Sequence, residues 1–379
     1  MSAQTEYLGA GSVACLGEVL QRHAPRRVFL VTGRASYEAS GARAAIEPLL
    51  GATPFVRFHD FESNPRLEDV ERGIRLFRES ACDLVVAAGG GSVMDMAKSV
   101  RFLAAQEAGA RDCLRDAGGP RRRGAPLAAI PTTAGSGSEA TRFAVLYVDR
   151  EKESLEHEFV LPDYAIVDPG LTARLSPRQT AISGLDALCQ ATESFWSVLS
   201  TPESQGYARR ALGLVLEHLD RAVNRPDAAA RAGMAEAAHV AGKAICISKT
   251  TACHAVSYPL TSYFGVPHGL AAALTLPSML AFNAGVTVAD CQDARGAAWV
   301  GRILGELMAL IGADSPAGAA AALTDLMRNV GMPVRLGEAG IRPADIPLIL
   351  DHGFNPGRVK NNPRRLTREE LKALLDAMA

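Results

Sequence analysis

The stretch Asp83-Leu84-Val85-Val86-Ala87-Ala88-Gly89-Gly90-Gly91-Ser92-Val93-Met94-Asp95-Met96-Ala97-Lys98 decides the fold. The aliphatic run from Leu84 to Ala88 is bounded by a charge and a glycine cluster, and reads as a strand covered on both faces. The residues after Ser92 have helical texture. Glycines at such a strand-to-helix turn let backbone approach a pyrophosphate, and the helix N-terminus adds unpaired N–H groups and a positive dipole end. A plain tight turn has the same composition, because the run is not Gly-x-Gly-x-x-Gly.

Outward from this unit the pattern repeats. Arg27 to Thr32, Phe55 to Phe58 and Leu127 to Ile130 are further strand candidates, and Ala35 to Leu50, Leu67 to Ser80 and Val93 to Gln106 are helical patterns between them. Strands alternating with helices predict a doubly wound, mostly parallel α/β domain. A second small-residue loop, Pro131-Thr132-Thr133-Ala134-Gly135-Ser136-Gly137-Ser138-Glu139, follows the last of these strands. Ligands of such sheets collect beyond the carboxyl ends of the strands, so both loops are expected to line one crevice. Leu146 to Val148 and Tyr164 to Val167 are expected to form a further pair of strands, with the charged residues from Asp149 to Glu158 in the turn. After Ser176-Pro177 the chain becomes rich in Ala and Leu with few β-branched runs, which predicts an all-helical second domain. The expected domains are 1–175 and 176–379.

At 379 residues the chain is long enough for two cores. Its 40 basic and 41 acidic residues give overall charge no role in holding nucleic acid or an anionic membrane. Seven cysteines without a Cys-x-x-Cys pair point to reduced thiols, away from a disulfide framework or a cysteine zinc site. Met1 to Gly11 has no basic start followed by an apolar run, and no apolar stretch approaches the roughly 20 residues of a membrane span. A cytoplasmic protein is expected.

In the second half, Asp186 and Gln190 stand one helical turn apart and so share a face. His254 and His268 are separated by Pro259 and Gly265, so a helix end and a loop can fold back to bring both imidazoles to those oxygens. One carboxylate, one amide oxygen and two imidazoles make a divalent-metal shell with room for a substrate oxygen. Taken singly they prove little: a lone His at an apolar helix position is more often a hydrogen-bonded core residue than a ligand, and Gln190 alone reads as an ordinary polar position.

Gly89-Gly90-Gly91-Ser92 with Asp95 and Lys98, the Pro131 to Glu139 loop, Asn64-Pro65, Asp168-Pro169-Gly170-Leu171, Asp186, His254 and Pro267-His268-Gly269 together resemble the iron-containing (group III) alcohol dehydrogenase family over nearly the whole chain. The resemblance implies a dehydroquinate synthase-like fold, with an N-terminal dinucleotide-binding domain, an all-helical C-terminal domain and a metal site. It implies that Gly89, Gly90, Gly91 and Ser92 hold the pyrophosphate, that Asp95, Lys98 and Ser138 lie close by, and that Thr132, Thr133 and Leu171 line the cofactor. Asp186, His254 and His268 match three family metal ligands. Gln190 stands where most relatives have the fourth-ligand His, and Tyr258 where they have a second His on the same helix. A neutral amide makes the shell harder and weaker; Fe2+ is the expected metal, Zn2+ the alternative.

The segments Asp186 to Ser197 and Gly242 to Tyr258, and Asn361-Asn362-Pro363, resemble the branch of that family that reduces phosphonoacetaldehyde to 2-hydroxyethylphosphonate in phosphonate natural-product pathways. That resemblance implies a small aldehyde or alcohol substrate with an anionic phosphonate group, and a homodimer or larger homo-oligomer. A phosphonate needs cations or N–H donors; Lys249 with Thr250 or Thr251 is the expected pocket, and Arg142 a weaker candidate. Lys249 in solvent is the alternative. Tyr258 is a candidate proton donor or a core tyrosine. Thr32-Gly33-Arg34 lacks an acidic residue and offers Arg34 to a 2′-phosphate, so NADPH is preferred or tolerated beside NADH. The alternative is a general iron-type alcohol dehydrogenase or aldehyde reductase for another small substrate. A dehydroquinate-synthase-like lyase shares the Gly-rich turn and metal site, but such lyases resemble this chain less, with Glu as the usual first ligand where Asp186 stands and several cations in the site where basic residues are sparse here.

Overall fold

The computed structural model describes residues 4–115, 121–149, 151–354 and 359–379. Met1 to Ala3 and Arg150, which the sequence reading touched, lie outside them. The chain divides into two compact units, Met1–Leu175 and Ser176–Ala379.

The first unit is built on a parallel sheet of six strands: β1 (Thr5–Leu8), β2 (Val28–Thr32), β3 (Phe55–Phe58), β4 (Leu84–Gly89), β5 (Leu127–Pro131) and β8 (Tyr164–Val167), in the order β1-β8-β5-β4-β2-β3. Helices α1 (Leu16–His23), α2 (Ser36–Ala39), α3 (Ala42–Leu50), α4 (Leu67–Glu79), α5 (Gly91–Ala104) and α6 (Ala110–Arg115) connect or flank the strands. Successive residues of the central strands enter opposite cores, as the period of two requires. Phe29, Val31, Val85, Ala87, Leu127 and Ala129 pack with α4 and α5. Val28, Leu30, Leu84, Val86, Ala128 and Ile130 pack with α1 and α3. From β2 the chain passes to β3 on one side and then returns to β4 on the other, so the strand order reverses between β2 and β4. That reversal is where such sheets take ligands, beyond the carboxyl ends of the strands.

Three expectations need correction. Ala35 to Leu50 is two helices, because Gly41 adopts a left-handed backbone (φ 83°) that ends α2 and starts α3. Tyr164–Val167 does not pair with the strand near Leu146; it lies inside the main sheet between β1 and β5. The partner of β6 (Phe143–Val148) is β7 (Glu151–Glu156), in an antiparallel ribbon from Phe143↔Glu156 to Val148↔Glu151. The charged run expected as a turn is thus mostly strand: β7 buries Leu155 and leaves most of its charges in solvent. Edge strand β1 was not foreseen.

The second unit is helical: α7 (Pro177–Trp196), α8 (Pro202–Asn224), α9 (Ala228–Ser248), α10 (Ala252–Phe264), α11 (His268–Ala284), α12 (Ala297–Ile311), α13 (Pro316–Asn329), α14 (Ile346–Gly353) and α15 (Arg368–Met378). Ser176 caps α7 by accepting from the Gln179 N–H, with Pro177 at the first helical position. Every residue of α7 from Thr180 to Trp196 is buried, so this helix is the axis of the unit. Among the described residues no single helix is long and apolar enough to cross a membrane.

Candidate active site

In the first unit, the register Thr32↔Ala88 and Gly89↔Pro131 brings the ends of β2, β4 and β5 level. The turns Gly33-Arg34, Gly89 to Ser92 and Thr132-Thr133 therefore leave the sheet side by side. The Thr132 N–H donates to the Gly89 carbonyl at 2.9 Å. A Cβ on Gly90 would come within 3.3 Å of Thr133 Oγ1, and one on Gly91 within 3.2 Å of Ser136, so the glycines admit the second loop as well as leaving backbone exposed. Gly91 opens α5, whose first N–H groups face the same edge.

Lys98 and Asp95 lie beneath these loops. Lys98 is fully buried and donates to Ser138 Oγ (2.8 Å), Thr141 Oγ1 (2.9 Å) and the Phe143 carbonyl (2.9 Å), while Ser138 Oγ donates to Asp95 Oδ1 at 2.8 Å. Burial raises the Asp95 carboxyl, with Lys98 pulling the other way. This network ties α5 to the second loop and shapes it from below. Leu171 is buried in the sheet core, in a turn capped by Asp168.

Arg57 on β3 holds the Gly33-Arg34 turn. Its guanidinium donates to Thr32 Oγ1 at 2.8 Å, the Gly33 carbonyl at 3.1 Å and the Arg34 carbonyl at 3.3 Å. Arg34 itself pairs with Asp60. The stretch Thr32 to Arg34 lacks an acid, as the sequence showed, yet the fold supplies one from beyond β3.

In the second unit, α7 presents Asp186, Gln190 and Glu193 on one face, and α10 and α11 deliver His254 and His268. Donor atoms of Asp186, His254 and His268 all lie within 4.8 Å of one another. His254 Nε2 is 3.5 Å from Asp186 Oδ1, too far for a good hydrogen bond, and that buried oxygen has no hydrogen-bond partner. An orphaned carboxylate oxygen facing two imidazoles fits a cation. Gln190, 4% exposed, lies one turn along α7 from Asp186. The helix end and loop expected between the two histidines are there: α10 runs through Pro259 to Phe264, and Gly265 (φ 68°) stops it. His268 then opens α11. Gly269 allows the close approach: a Cβ there would stand 2.1 Å from the Ile182 carbonyl and 2.9 Å from Asp186 Cβ.

Glu193 was not foreseen. Its Oε2 pairs with His254 Nδ1, and its Oε1 accepts from Thr251 Oγ1 (2.6 Å) and the N–H groups of Thr251 (3.1 Å), Cys253 (2.9 Å) and His254 (3.4 Å). The signal available was its spacing, on the Asp186 face one turn beyond Gln190. Burial works against the charged forms of His254, Asp186 and Glu193, but their mutual contacts prevail: the imidazole is pushed up to about 9, led by the Glu193 charge, and both carboxyls are held below their usual range. Burial pushes the thiols of Cys189 and Cys253 well above their ordinary value.

Thr251 must be withdrawn from the anion pocket. It is fully buried, its one hydroxyl proton goes to Glu193, and its oxygen accepts from Trp196 Nε1 at 3.0 Å. The first N–H groups of α10 are likewise taken by Glu193. Lys249 is exposed and Thr250 half-buried, at the junction of α9 and α10. Arg142 faces Glu156 at 3.6 Å across the ribbon, an acidic neighbour that competes with an anion. The Tyr258 ring stacks on His268, centroids 6.3 Å apart and 4° from parallel.

Residues 4–169 match the iron-containing alcohol dehydrogenase family and residues 180–379 its C-terminal part. The chain is 39% identical over 369 residues to the phosphonoacetaldehyde reductase of Streptomyces viridochromogenes, covering 93% of this chain and 90% of that one. It is 30% identical to long-chain-alcohol dehydrogenase 1 of Geobacillus thermodenitrificans, covering 98% and 94%. The sulfoacetaldehyde reductase of Bifidobacterium kashiwanohense, solved in complex with NAD+, superposes with a TM-score of 0.87 at 30% identity, covering 100% of this chain and 98% of that one. The chain therefore belongs to the iron-containing alcohol dehydrogenase family, and is an oxidoreductase that acts on CH–OH groups with a nicotinamide cofactor and a divalent metal.

Proposed function

We propose that the enzyme reduces phosphonoacetaldehyde to 2-hydroxyethylphosphonate with NADPH or NADH, with Fe2+ or Zn2+ held by Asp186, Gln190, His254 and His268. The observation that carries this reading is the 39% identity to a phosphonoacetaldehyde reductase in a chain that keeps the three-donor cluster. The likeness to a sulfoacetaldehyde reductase adds support, since that aldehyde also carries an anionic tail on two carbons.

The balance is aldehyde, reduced nicotinamide and one proton giving alcohol and oxidised nicotinamide. When bound, the metal supplies Lewis acidity to the carbonyl oxygen and the cofactor supplies hydride. The chain supplies position and charge. Gly89 to Ser92 and the start of α5 hold the pyrophosphate, with Thr132 and Thr133 beside it. In this reading Tyr258, whose ring stacks on that of His268, gives the proton to the nascent alkoxide.

Lys249 with Thr250 receives the phosphonate. Its backbone supports this assignment: φ 58° and ψ 175° is a conformation that residues with a side chain rarely adopt. Surrounding bonds hold it there. Its N–H donates to the Ile245 carbonyl at 2.9 Å, Ser248 Oγ donates to its carbonyl at 3.1 Å, and Asn361 Nδ2 donates to the Thr250 carbonyl at 3.3 Å. Strain maintained by several neighbours fits a side chain whose direction matters.

The test follows nicotinamide oxidation with phosphonoacetaldehyde, sulfoacetaldehyde and propionaldehyde, using Fe(II)-loaded, Zn(II)-loaded and chelated enzyme. The expected result is a strong preference for the phosphonate that disappears on chelation. A hydrogen bond to a charged group is worth about 1.5–3 kcal/mol, so Lys249→Ala should raise KM for the phosphonate by roughly 10- to 150-fold and leave propionaldehyde unchanged. Equal effects on both substrates refute the anion pocket. Preference for sulfoacetaldehyde would move the substrate to the sulfonate.

A further inference from the structure

A fully buried carboxylate of the helical unit lies outside the four-ligand set. The Glu193 side chain is fully buried, yet it reaches two elements at once. Through Oε1 it performs from α7 the cap that α10 lacks, since the Thr251 side chain makes no cap hydrogen bond of its own. Through Oε2 it takes the Nδ1 side of the His254 ring. An imidazole whose Nδ1–H is committed to a carboxylate presents Nε2 as a lone pair, and it is Nε2 that faces Asp186 Oδ1 at 3.5 Å.

We propose that Glu193 is a positioning residue for the metal centre: it sets the tautomer and direction of His254 while fixing the helix start that carries it. This rests on the reading of Asp186, Gln190, His254 and His268 as metal ligands. Asp186, Gln190 and Glu193 recur along one face of α7, so a single rigid helix supplies two ligands and the orientation of a third. Gln190 contributes a neutral amide, and the centre draws on only two imidazoles. A ring free to present Nε2–H would leave the cation with one. On the other imidazole, Ser257 Oγ lies 3.4 Å from Nδ1 of His268. The orientation of His254 therefore bears directly on the affinity of the centre.

The test titrates Co(II) into the chelator-stripped full chain and reads both affinity and the visible spectrum, which reports coordination. Glu193→Gln keeps a carbonyl oxygen for the α10 N–H groups and removes the acceptor that fixes His254. The variant should fold in its metal-free form, by circular dichroism, and bind Co(II) about 10- to 100-fold more weakly with an altered spectrum. Glu193→Asp, which keeps the charge but withdraws it by a methylene, should fall between the two, and it decides the matter if Glu193→Gln does not fold. Wild-type affinity and spectrum in a folded variant overturn the role of Glu193. Failure of the wild-type chain itself to bind Co(II) would instead overturn the metal-centre reading beneath it.

Discussion

Asp60 should control the choice between the two nicotinamide cofactors. Arg34 follows β2 at the strand-order reversal, where a 2′-phosphate would meet it, but its guanidinium is already paired with Asp60. The pair is largely in solvent, at 64% and 73% side-chain exposure, so breaking it costs about 0–1 kcal/mol. Arg72 lies on the far side, 4.0 Å from Asp60 Oδ2 and 3.0 Å from Asp69. A phosphate accepted by Arg34 would sit roughly 6 Å from the Asp60 carboxylate. Two phosphate charges at that distance in near-bulk dielectric are repelled by about 1.4 kcal/mol, and physiological salt reduces this by about half. Asp60→Asn should thus raise kcat/KM for NADPH about threefold to tenfold, with NADH unchanged and the gain shrinking at high salt. Arg34→Ala should do the reverse, reducing NADPH use while sparing NADH. Steady-state kinetics with both cofactors at two salt concentrations measure this. An unchanged NADPH-to-NADH ratio in Asp60→Asn, or a gain indifferent to salt, would show that the 2′-phosphate does not meet Arg34.

Two further outcomes test the helical unit. Gly269→Ala places a methyl 2.1 Å from the Ile182 carbonyl, which cannot rotate away; the variant should lose about 1–3 kcal/mol of stability in chemical denaturation and bind metal more weakly, because α11 must move off α7 and take His268 with it. Wild-type metal affinity in that variant would mean the helices need not touch there. Asp290 accepts from the Thr287 N–H (2.6 Å), Thr287 Oγ1 (2.8 Å) and Arg364 Nε (2.8 Å); burial opposes the charge, but these bonds hold its carboxyl at about 2. A folded value below the unfolded one, about 3.9, stabilises above that pH, and the gain is lost as pH falls toward about 2. Asp290→Asn should accordingly unfold earlier than wild type in urea at pH 7, and the gap should narrow steadily below pH 4; a constant gap would assign the loss to packing alone.

What could be read before the structure was known, and what could not, follows from how many neighbours an element needs. Strands β2, β4 and β5 are buried on both faces, so their apolar runs stand out and the alternation with α4 and α5 followed from them. β7 buries little beyond Leu155, and β1 is a short edge strand, so neither carries a run that differs from a loop. The same distinction holds in the site. Asp186 and Gln190 share a helix face by local spacing alone. The approach of His268 to Asp186 depends on a missing side chain at Gly269, visible only once α11 lies on α7. Glu193 and Asp60 were illegible as functional residues because their partners are far along the chain: Thr251 to His254 for one, Arg34 for the other. Both are acids that answer a positive group the local sequence leaves unmatched, the start of α10 and the turn after β2. Charges whose partners are distant read as ordinary solvated residues until the fold closes, and here it brings one of them to Nδ1 of His254 and the other to Arg34 at the turn after β2.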